Sequence, residues 1–298
     1  PDLLKGIDSK RIATFQKAAG TALNKYRQYV QSDKISWTVI ASPSEAWAEK
    51  VFPNLPKEKQ VDALWDAIFK ATRSDLDNPV EAWTKHNDTL HEKVHYLNAK
   101  KYAKLHYTAP GTDLTIELPK GHLWCGAGSV NEKGEEFMAN MPTEEVFTVP
   151  HKDGVNGYVS STKPLSYGGN IIDNFKITFE NGRITKVEAE QGEEVLKNLV
   201  ATDEGSHRLG EVALVPHDSP ISNSGLLFYN TLFDENASNH LAIGSAYAFC
   251  LEGGKKMNRE ELEANGLNQS ITHVDFMIGS AEMNIDGITE DGKTEPVF

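Results

Sequence analysis

The sequence predicts a mixed α/β fold of the α+β kind: an N-terminal α/β layer over residues 1–100, then a β-rich domain over 101–298. Three observations predict it. Apolar residues recur at helical spacing through two long stretches, 57–73 and 79–97. After Tyr102 the texture changes to short runs broken by Pro-Gly and Asn-Gly turns. Further on, Ser206-His207-Arg208-Leu209-Gly210-Glu211-Val212-Ala213-Leu214-Val215 sets one carboxylate at the head of an apolar run that reads as buried.

The N-terminal elements follow from periodicity and turn chemistry. Residues 9–30 read as a helix, with Ile12, Phe15, Ala19, Leu23 and Tyr26 on one side. Ile35-Ser36-Trp37-Thr38-Val39-Ile40 reads as a strand, being rich in β-branched and aromatic residues. Ser42-Pro43-Ser44-Glu45 opens a helix that runs to Phe52. Val61, Leu64, Trp65, Ile68 and Phe69 mark the helix over 57–73, and Trp83, Leu90 and Val94 the one over 79–97.

The remainder reads mainly as antiparallel β. Strands are expected at 105–107, 114–118, 123–125, 144–150, 155–160, 174–180 and 183–189, with Asn181-Gly182 as the hairpin turn between the last two. A short helix follows at 193–199. Residues 237–250 read as helical because Ala and Leu dominate, 258–264 as a short helix or turn, and 272–278 as a strand. The Gly-rich stretches 152–157 and 165–170 read as hairpin turns, since no strand-then-helix context for a phosphate loop surrounds them.

Composition narrows the function classes. At 39% hydrophobic and 24% charged residues, the chain fits a soluble globular protein. The net charge of −13 opposes binding to nucleic acid or an anionic membrane surface. No apolar run is long enough to span a bilayer. Two cysteines far apart, Cys125 and Cys250, make neither a disulfide framework nor a thiolate cluster, which fits a cytoplasmic protein. Any metal must therefore be held by carboxylates and imidazoles.

Those residue types recur at suggestive places. A buried Glu211 must be paired, protonated or bound to a cation. In Thr272-His273-Val274-Asp275-Phe276-Met277-Ile278, His273 and Asp275 are two apart on a strand and point to the same face. In Asp234-Glu235-Asn236-Ala237-Ser238-Asn239-His240, the expected helix carries His240 and, two turns on, Tyr247 on one face, with Glu235 just before its start. In Met141-Pro142-Thr143-Glu144-Glu145-Val146-Phe147-Thr148, one of two adjacent carboxylates can face a site while the other is solvated. Each has a blander reading: a polar strand edge, a helix cap answering the dipole, a charged loop-to-strand junction. Together they form the ligand mix of a two-metal hydrolase, in which two ions about 3.5–4 Å apart share a water and a bridging carboxylate. A phenol such as Tyr247 suits the stabilisation of an oxyanion. His207 and Arg208 lie close enough to Glu211 in sequence to line the same cleft; His106, His122, His151 and His217 read as surface or supporting groups. Trp37, Trp47, Trp65 and Trp83 read as packing.

On these four motifs, in this order, the chain resembles the M29-type (thermophilic aminopeptidase) family of bacterial metallo-aminopeptidases over nearly its whole length. The resemblance implies a cytoplasmic, homodimeric exopeptidase that removes N-terminal amino acids from peptides with a free N-terminus, using two divalent ions, Zn²⁺, Co²⁺ or Mn²⁺. It selects Glu145 over Glu144 as a ligand and implies Glu211, His240, His273 and Asp275 as ligands, Glu235 as a further metal-site carboxylate, and Glu211 and Tyr247 in catalysis. Members of the family extend further at the N-terminus, so the chain is expected to begin partway through the N-terminal domain, with an exposed sheet edge if the missing strands complete a sheet. Two rival readings are a metal-independent carboxylate hydrolase of glycosidase type, using two of Glu145, Glu211 and Glu235, and a non-catalytic metal-binding protein.

Overall fold

A computed structural model describes residues 7, 11, 14, 15, 18, 19, 22–31 and 33–297. Helix α1 (Asn24–Gln31) belongs to the helix expected over 9–30. The described residues 11, 14, 15, 18, 19 and 22 are helical as well, Leu23 is a turn, and the rest of that expectation, Ile12 included, lies outside the described residues. Helix α2 (Glu45–Val51) starts where Ser44 accepts a hydrogen bond from the Trp47 amide. Helices α3 (Lys57–Ala71) and α4 (Pro79–Lys100) follow, the latter capped by Asn78 with proline in its first turn. Ala48, Leu64 and Ile68 of α2 and α3 pack with Phe228 and Phe233 into a small helical core.

The strand expected at 35–40 is not formed. Val39 makes a single parallel bridge to Asn140, and Ile40 stays exposed. High β-propensity is insufficient without a ladder partner, and among the described residues the backbone of this segment pairs only with the short stretch 139–141.

The strands begin after α4. In chain order they are β1 (Lys104–Ala109), β2 (Thr112–Glu117), β3 (Cys125–Gly126), β4 (Ser129–Val130), β5 (Glu136–Phe137), β6 (Val146–Thr148), β7 (Val155–Ser160), β8 (Leu165–Tyr167), β9 (Asn170–Glu180) and β10 (Arg183–Gln191). Helix α5 (Glu193–Val200) leads into β11 (Leu209–Leu214), and short helices α6 (Pro220–Ser224) and α7 (Thr231–Asp234) into β12 (His240–Gly244). Helix α8 (Arg259–Ala264), β13 (His273–Met277), β14 (Asn284–Ile288) and β15 (Thr294–Pro296) complete the chain. The β9–β10 hairpin turns on Asn181 and Gly182 at φ 50° and 79°, the paired positive angles that the Asn-Gly signal predicts.

Among the described residues two antiparallel sheets dominate. The larger has the order β10-β9-β7-β2-β1-β14-β15, with β8 added to β9. The smaller has the order β13-β12-β11-β6-β3. One core joins them: Leu105, Ile177 and Phe175 from the first meet Val212, Leu241 and Phe276 from the second, and the Phe175 and Phe276 rings lie 5.7 Å apart. Leu90 and Leu97 of α4 join the same core. Each such fully buried side chain contributes about 1.5–3 kcal/mol relative to exposure.

The helix expected over 237–250 is replaced by β12, a loop, and a single 3-10 turn at 248–250. Ala and Leu favour a helix by propensity, but His240–Gly244 lies between β11 and β13 and is buried along its whole length. Sheet pairing on both sides outweighs propensity here. Gly244 closes the strand at φ 114°, with Thr272 backbone too near to admit a Cβ.

One irregularity orients the smaller sheet's contents. Leu209 pairs with Ile243, but Glu211 pairs with the adjacent Ala242, so the register slips at Gly210. Without this bulge Glu211, two residues on, would face the core beside Leu209; with it, Glu211 turns to the other face. Gly210 permits this because a Cβ there would sit 2.3 Å from the Ser245 carbonyl oxygen. Gly210→Ala is therefore expected to destabilise the fold by about 1–3 kcal/mol through overpacking. A lower urea midpoint at unchanged m-value checks this; a wild-type midpoint would show that the close approach does not constrain the strand.

Candidate metal centre

The strand pairings of the smaller sheet collect the chemistry-bearing residues on one face. Residues two apart on a strand share a face, and directly paired residues do too. Glu211 pairs with Ala242, which pairs with Asp275; Ala213 pairs with His240 and with Phe147; Gly244 pairs with His273. Glu145, two residues before Phe147, extends the same face at the start of β6. The other face carries Val212, Leu214, Leu241, Ile243 and Phe276 into the core. Ala213, Ala242 and Gly244 are small and lie between the acidic and imidazole groups, so the middle of this face is left open. It forms the floor of a cavity of about 770 Å³, which Val94 of α4, Trp124 and Phe249 help to line.

Among the described residues two sets of potential ligands converge there: Glu145, Glu211 and His240, and Glu211, His273 and Asp275. In each set the donor atoms lie within 4.8 Å of one another, and Glu211 belongs to both. Its Oε1 is 3.6 Å from His240 Nε2 and its Oε2 is 3.4 Å from His273 Nε2. His240 Nε2 is also 2.9 Å from Glu145 Oε2, and His273 Nε2 3.4 Å from Asp275 Oδ1.

The tautomers follow from backbone contacts. His240 Nδ1 is 3.1 Å from the Ser238 carbonyl oxygen, and His273 Nδ1 is 2.8 Å from that of Ser245. A carbonyl only accepts, so each Nδ1 carries a hydrogen and donates it. In the neutral ring each Nε2 then presents a lone pair towards carboxylate oxygens, a repulsion that either a ring proton or a metal cation between them relieves. Two of those oxygens, Glu145 Oε2 and Asp275 Oδ1, are buried and accept no hydrogen bond. Bare acceptors facing ring lone pairs, with no thiols among them, fit a divalent cation with mixed oxygen and nitrogen ligands.

The electrostatics record the same deficit of positive charge. Burial works against charge on His240 and His273, yet the surrounding carboxylates hold both well above the usual imidazole range. Burial would raise Glu211 too, but the two imidazoles outweigh it and bring it down to about 2. Glu145 is raised by burial despite His240. Glu235 is raised well above the carboxylate range, by burial first and then by Asp275 and Glu145. The Tyr247 phenol is likewise raised well above its usual range by burial and then by Glu211 and Asp275, so it stays protonated.

The seven site residues singled out from sequence therefore come together around one cavity. Glu145, Glu211, His240, His273 and Asp275 make up the two sets, and Tyr247 lines the cavity with its ring 4.8 Å from that of His273. Tyr247 arrives by a loop after β12 and not on a shared helix face with His240. Glu235 lines the cavity but stands outside both sets. Glu144, expected to be solvated if Glu145 faces the site, is instead buried against Arg73. Arg208 is tied away from the cavity by Asp153 and the Lys152 carbonyl, and neither it nor His207 lines the cavity. The Ser238 and Ser245 carbonyls that set the tautomers were missed, because a backbone oxygen leaves no mark in side-chain identity. The packing of Tyr247 on Phe147 and Phe249 was missed as well.

Comparison with known proteins agrees with this geometry. Residues 1–298 match the family described as Thermophilic metalloprotease (M29). The chain is 72% identical to Aminopeptidase AmpS of Bacillus subtilis (strain 168), over 100% of this chain and 73% of that protein. It is 56% identical to Aminopeptidase 2 of Geobacillus stearothermophilus, over 100% of this chain and 72% of that protein. The solved structure of wild-type AmpT from Thermus thermophilus superimposes with a TM-score of 0.91 at 46% identity, covering 98% of this chain and 71% of that one. Sequence and fold thus agree along the whole chain, which belongs to the thermophilic metalloprotease family, M29.

Proposed function

We propose that Glu145, Glu211, His240, His273 and Asp275 hold two divalent cations with Glu211 shared between them, and that this centre gives the chain its metal-dependent aminopeptidase activity. The observation that carries the reading is the shared Glu211, whose two oxygens face two differently placed imidazole Nε2 atoms. The chain is a metallo-aminopeptidase, as its family and its 72%-identical relative are. When bound, divalent ions supply Lewis acidity that lowers the pKa of water and polarises a peptide carbonyl.

The chain's own residues do the rest. Ser238 and Ser245 hold the imidazoles in the ligating tautomer. The Tyr247 phenol keeps its proton and donates a hydrogen bond to the oxyanion that develops on the scissile carbonyl. Glu235 lines the same cavity, and burial and its acidic neighbours favour its protonated form, which suits it to carry a proton. The cavity, walled by Val94, Trp124 and Phe249, excludes water from around the N-terminal side chain. Zn²⁺, Co²⁺ and Mn²⁺ all suit such a donor set. The reading includes residues 101–298 as the catalytic domain beside residues 1–100, a homodimer and a cytoplasmic location, which the family resemblance supports. No described helix is long and apolar enough to cross a membrane.

Three outcomes are expected. A short leucine-initiated peptide is cleaved after incubation with Co²⁺ or Zn²⁺, whereas its acetylated form and a chelated sample are not; chelator-resistant cleavage would instead favour a metal-independent carboxylate hydrolase. Added metal at about 100 times its Kd raises folding stability by about 2.7 kcal/mol in the wild type. Glu211→Gln reduces that gain and the bound-metal stoichiometry together, and unchanged stoichiometry would remove Glu211 from the ligand set. Glu235→Gln lowers kcat, and its metal content assigns the role: lost metal marks a ligand, retained metal with an altered pH–rate profile marks a proton carrier. Wild-type kcat in this variant would exclude both.

A further inference from the structure

Arg73 sits just past the end of α3 with its backbone at φ 56°. Its amide bonds back to the Lys70 carbonyl at 3.1 Å and the Ser74 amide to that of Phe69 at 2.8 Å, the paired closure of a helix C-terminus. The residue at this left-handed position is usually glycine, because a Cβ is disfavoured there. An arginine held in that conformation directs attention to what its side chain does.

The guanidinium makes a two-point pair with Glu144, Nη1 to Oε1 at 2.5 Å and Nη2 to Oε2 at 2.9 Å. Glu144 is 3% exposed and Arg73 15%, so the pair is screened little by solvent. The Trp83 ring covers the guanidinium at 5.8 Å, and the Trp83 Nε1 donates to the Thr72 carbonyl. On the same segment, His86 Nε2 donates to the Thr143 carbonyl at 2.7 Å. The Glu144 amide donates to Asn236 Oδ1 at 2.7 Å, and Asn236 Nδ2 donates to the Leu232 carbonyl at 2.9 Å. Residues 143 and 144 are thereby anchored to α3, α4 and the Leu232–Asn236 turn. Glu145 comes next in sequence, and Glu235 is the neighbour of Asn236.

Glu145 has little of its own to hold it. Its Oε2 accepts no hydrogen bond, and its 2.9 Å neighbour is another would-be ligand, His240 Nε2. Its carboxylate is placed by its backbone, and the adjacent backbone is placed by the Arg73–Glu144 pair. We infer that Arg73 is a positioning residue: through Glu144 it sets where the Glu145 carboxylate stands, and so sets the affinity of the Glu145–Glu211–His240 set for its cation. The inference rests on the reading of Glu145 as a ligand given above.

The test uses the full chain with Arg73→Met, Arg73→Lys and Glu144→Gln beside the wild type. Zn²⁺ affinity is measured by competition with a chromophoric chelator, kcat and KM on leucine p-nitroanilide, and folding by circular dichroism and thermal midpoint. At temperatures where each variant is fully folded, Arg73→Met is expected to weaken cation affinity by about tenfold to a hundredfold, the usual effect of losing a group that orients a ligand. Its kcat falls and recovers in part with excess metal, while KM changes less than about twofold, since uniform substrate binding is untouched. Arg73→Lys, which keeps the charge but loses the fork, falls between. A variant that melts earlier yet keeps wild-type cation affinity and kcat when folded overturns the inference and leaves a structural clamp. If Arg73→Met does not fold, Arg73→Lys and Glu144→Gln are judged by the same criterion. A wild-type chain that takes up no Zn²⁺ instead overturns the reading of the metal centre itself, a result visible before any variant is made.

Discussion

A carboxylate in the middle of a buried strand is the constraint on which this structure turns. Glu211 is 4% exposed, and an isolated buried charge of that kind is prohibitive. The surroundings answer it on every side. The bulge at Gly210 points it away from the apolar core. Two imidazoles from neighbouring strands approach its two oxygens. Alanine and glycine opposite it leave room for something other than side chains. These imidazoles do not finish the neutralisation, since Glu145, Asp275 and Glu235 add further negative charge around them. Protons held by these groups answer part of that charge, and the proposed cations would answer the rest.

Much of this was legible in the residues, for identifiable reasons. His273 and Asp275 could be placed side by side because strand alternation is a two-residue rule that tertiary context rarely breaks. The long helices α3 and α4 were legible because apolar periodicity over four or more turns leaves little ambiguity. The stretch around His240 was misread because Ala242 and Ala246 look like helix formers, whereas Ala242 is the small residue of β12 that pairs with both Glu211 and Asp275. Residues 35–40 failed in the opposite way: their β-propensity is genuine, but no ladder receives them. Tyr247 reached its place by a route that periodicity could not supply, through a loop after β12.

The two sheets divide the labour by face. One side of the smaller sheet supplies apolar contacts to the larger sheet and the other carries the candidate ligands, so β11, β12 and β13 serve packing on one face and the candidate site on the other. The helical N-terminal part then closes the open side, with Val94 on the cavity wall and Arg73 reaching the segment beside Glu145. A change in the helices can therefore reach the centre without touching a ligand, through residues 143 and 144.

The order of the proposed ligands along the chain also bears on how the protein would take up its cations. Glu145 lies just before β6, and Glu211, His240 and His273 lie on β11, β12 and β13, so no local segment gathers even three of them. A small zinc-binding loop can be nucleated by its ion, because its ligands are neighbours in sequence. Here the pairings β6–β11, β11–β12 and β12–β13 must all be in place before an ion has anywhere to go. On the proposed ligand set, cation loading would therefore follow the pairing of these strands, and the folded, acid-rich sheet would be what selects the ion.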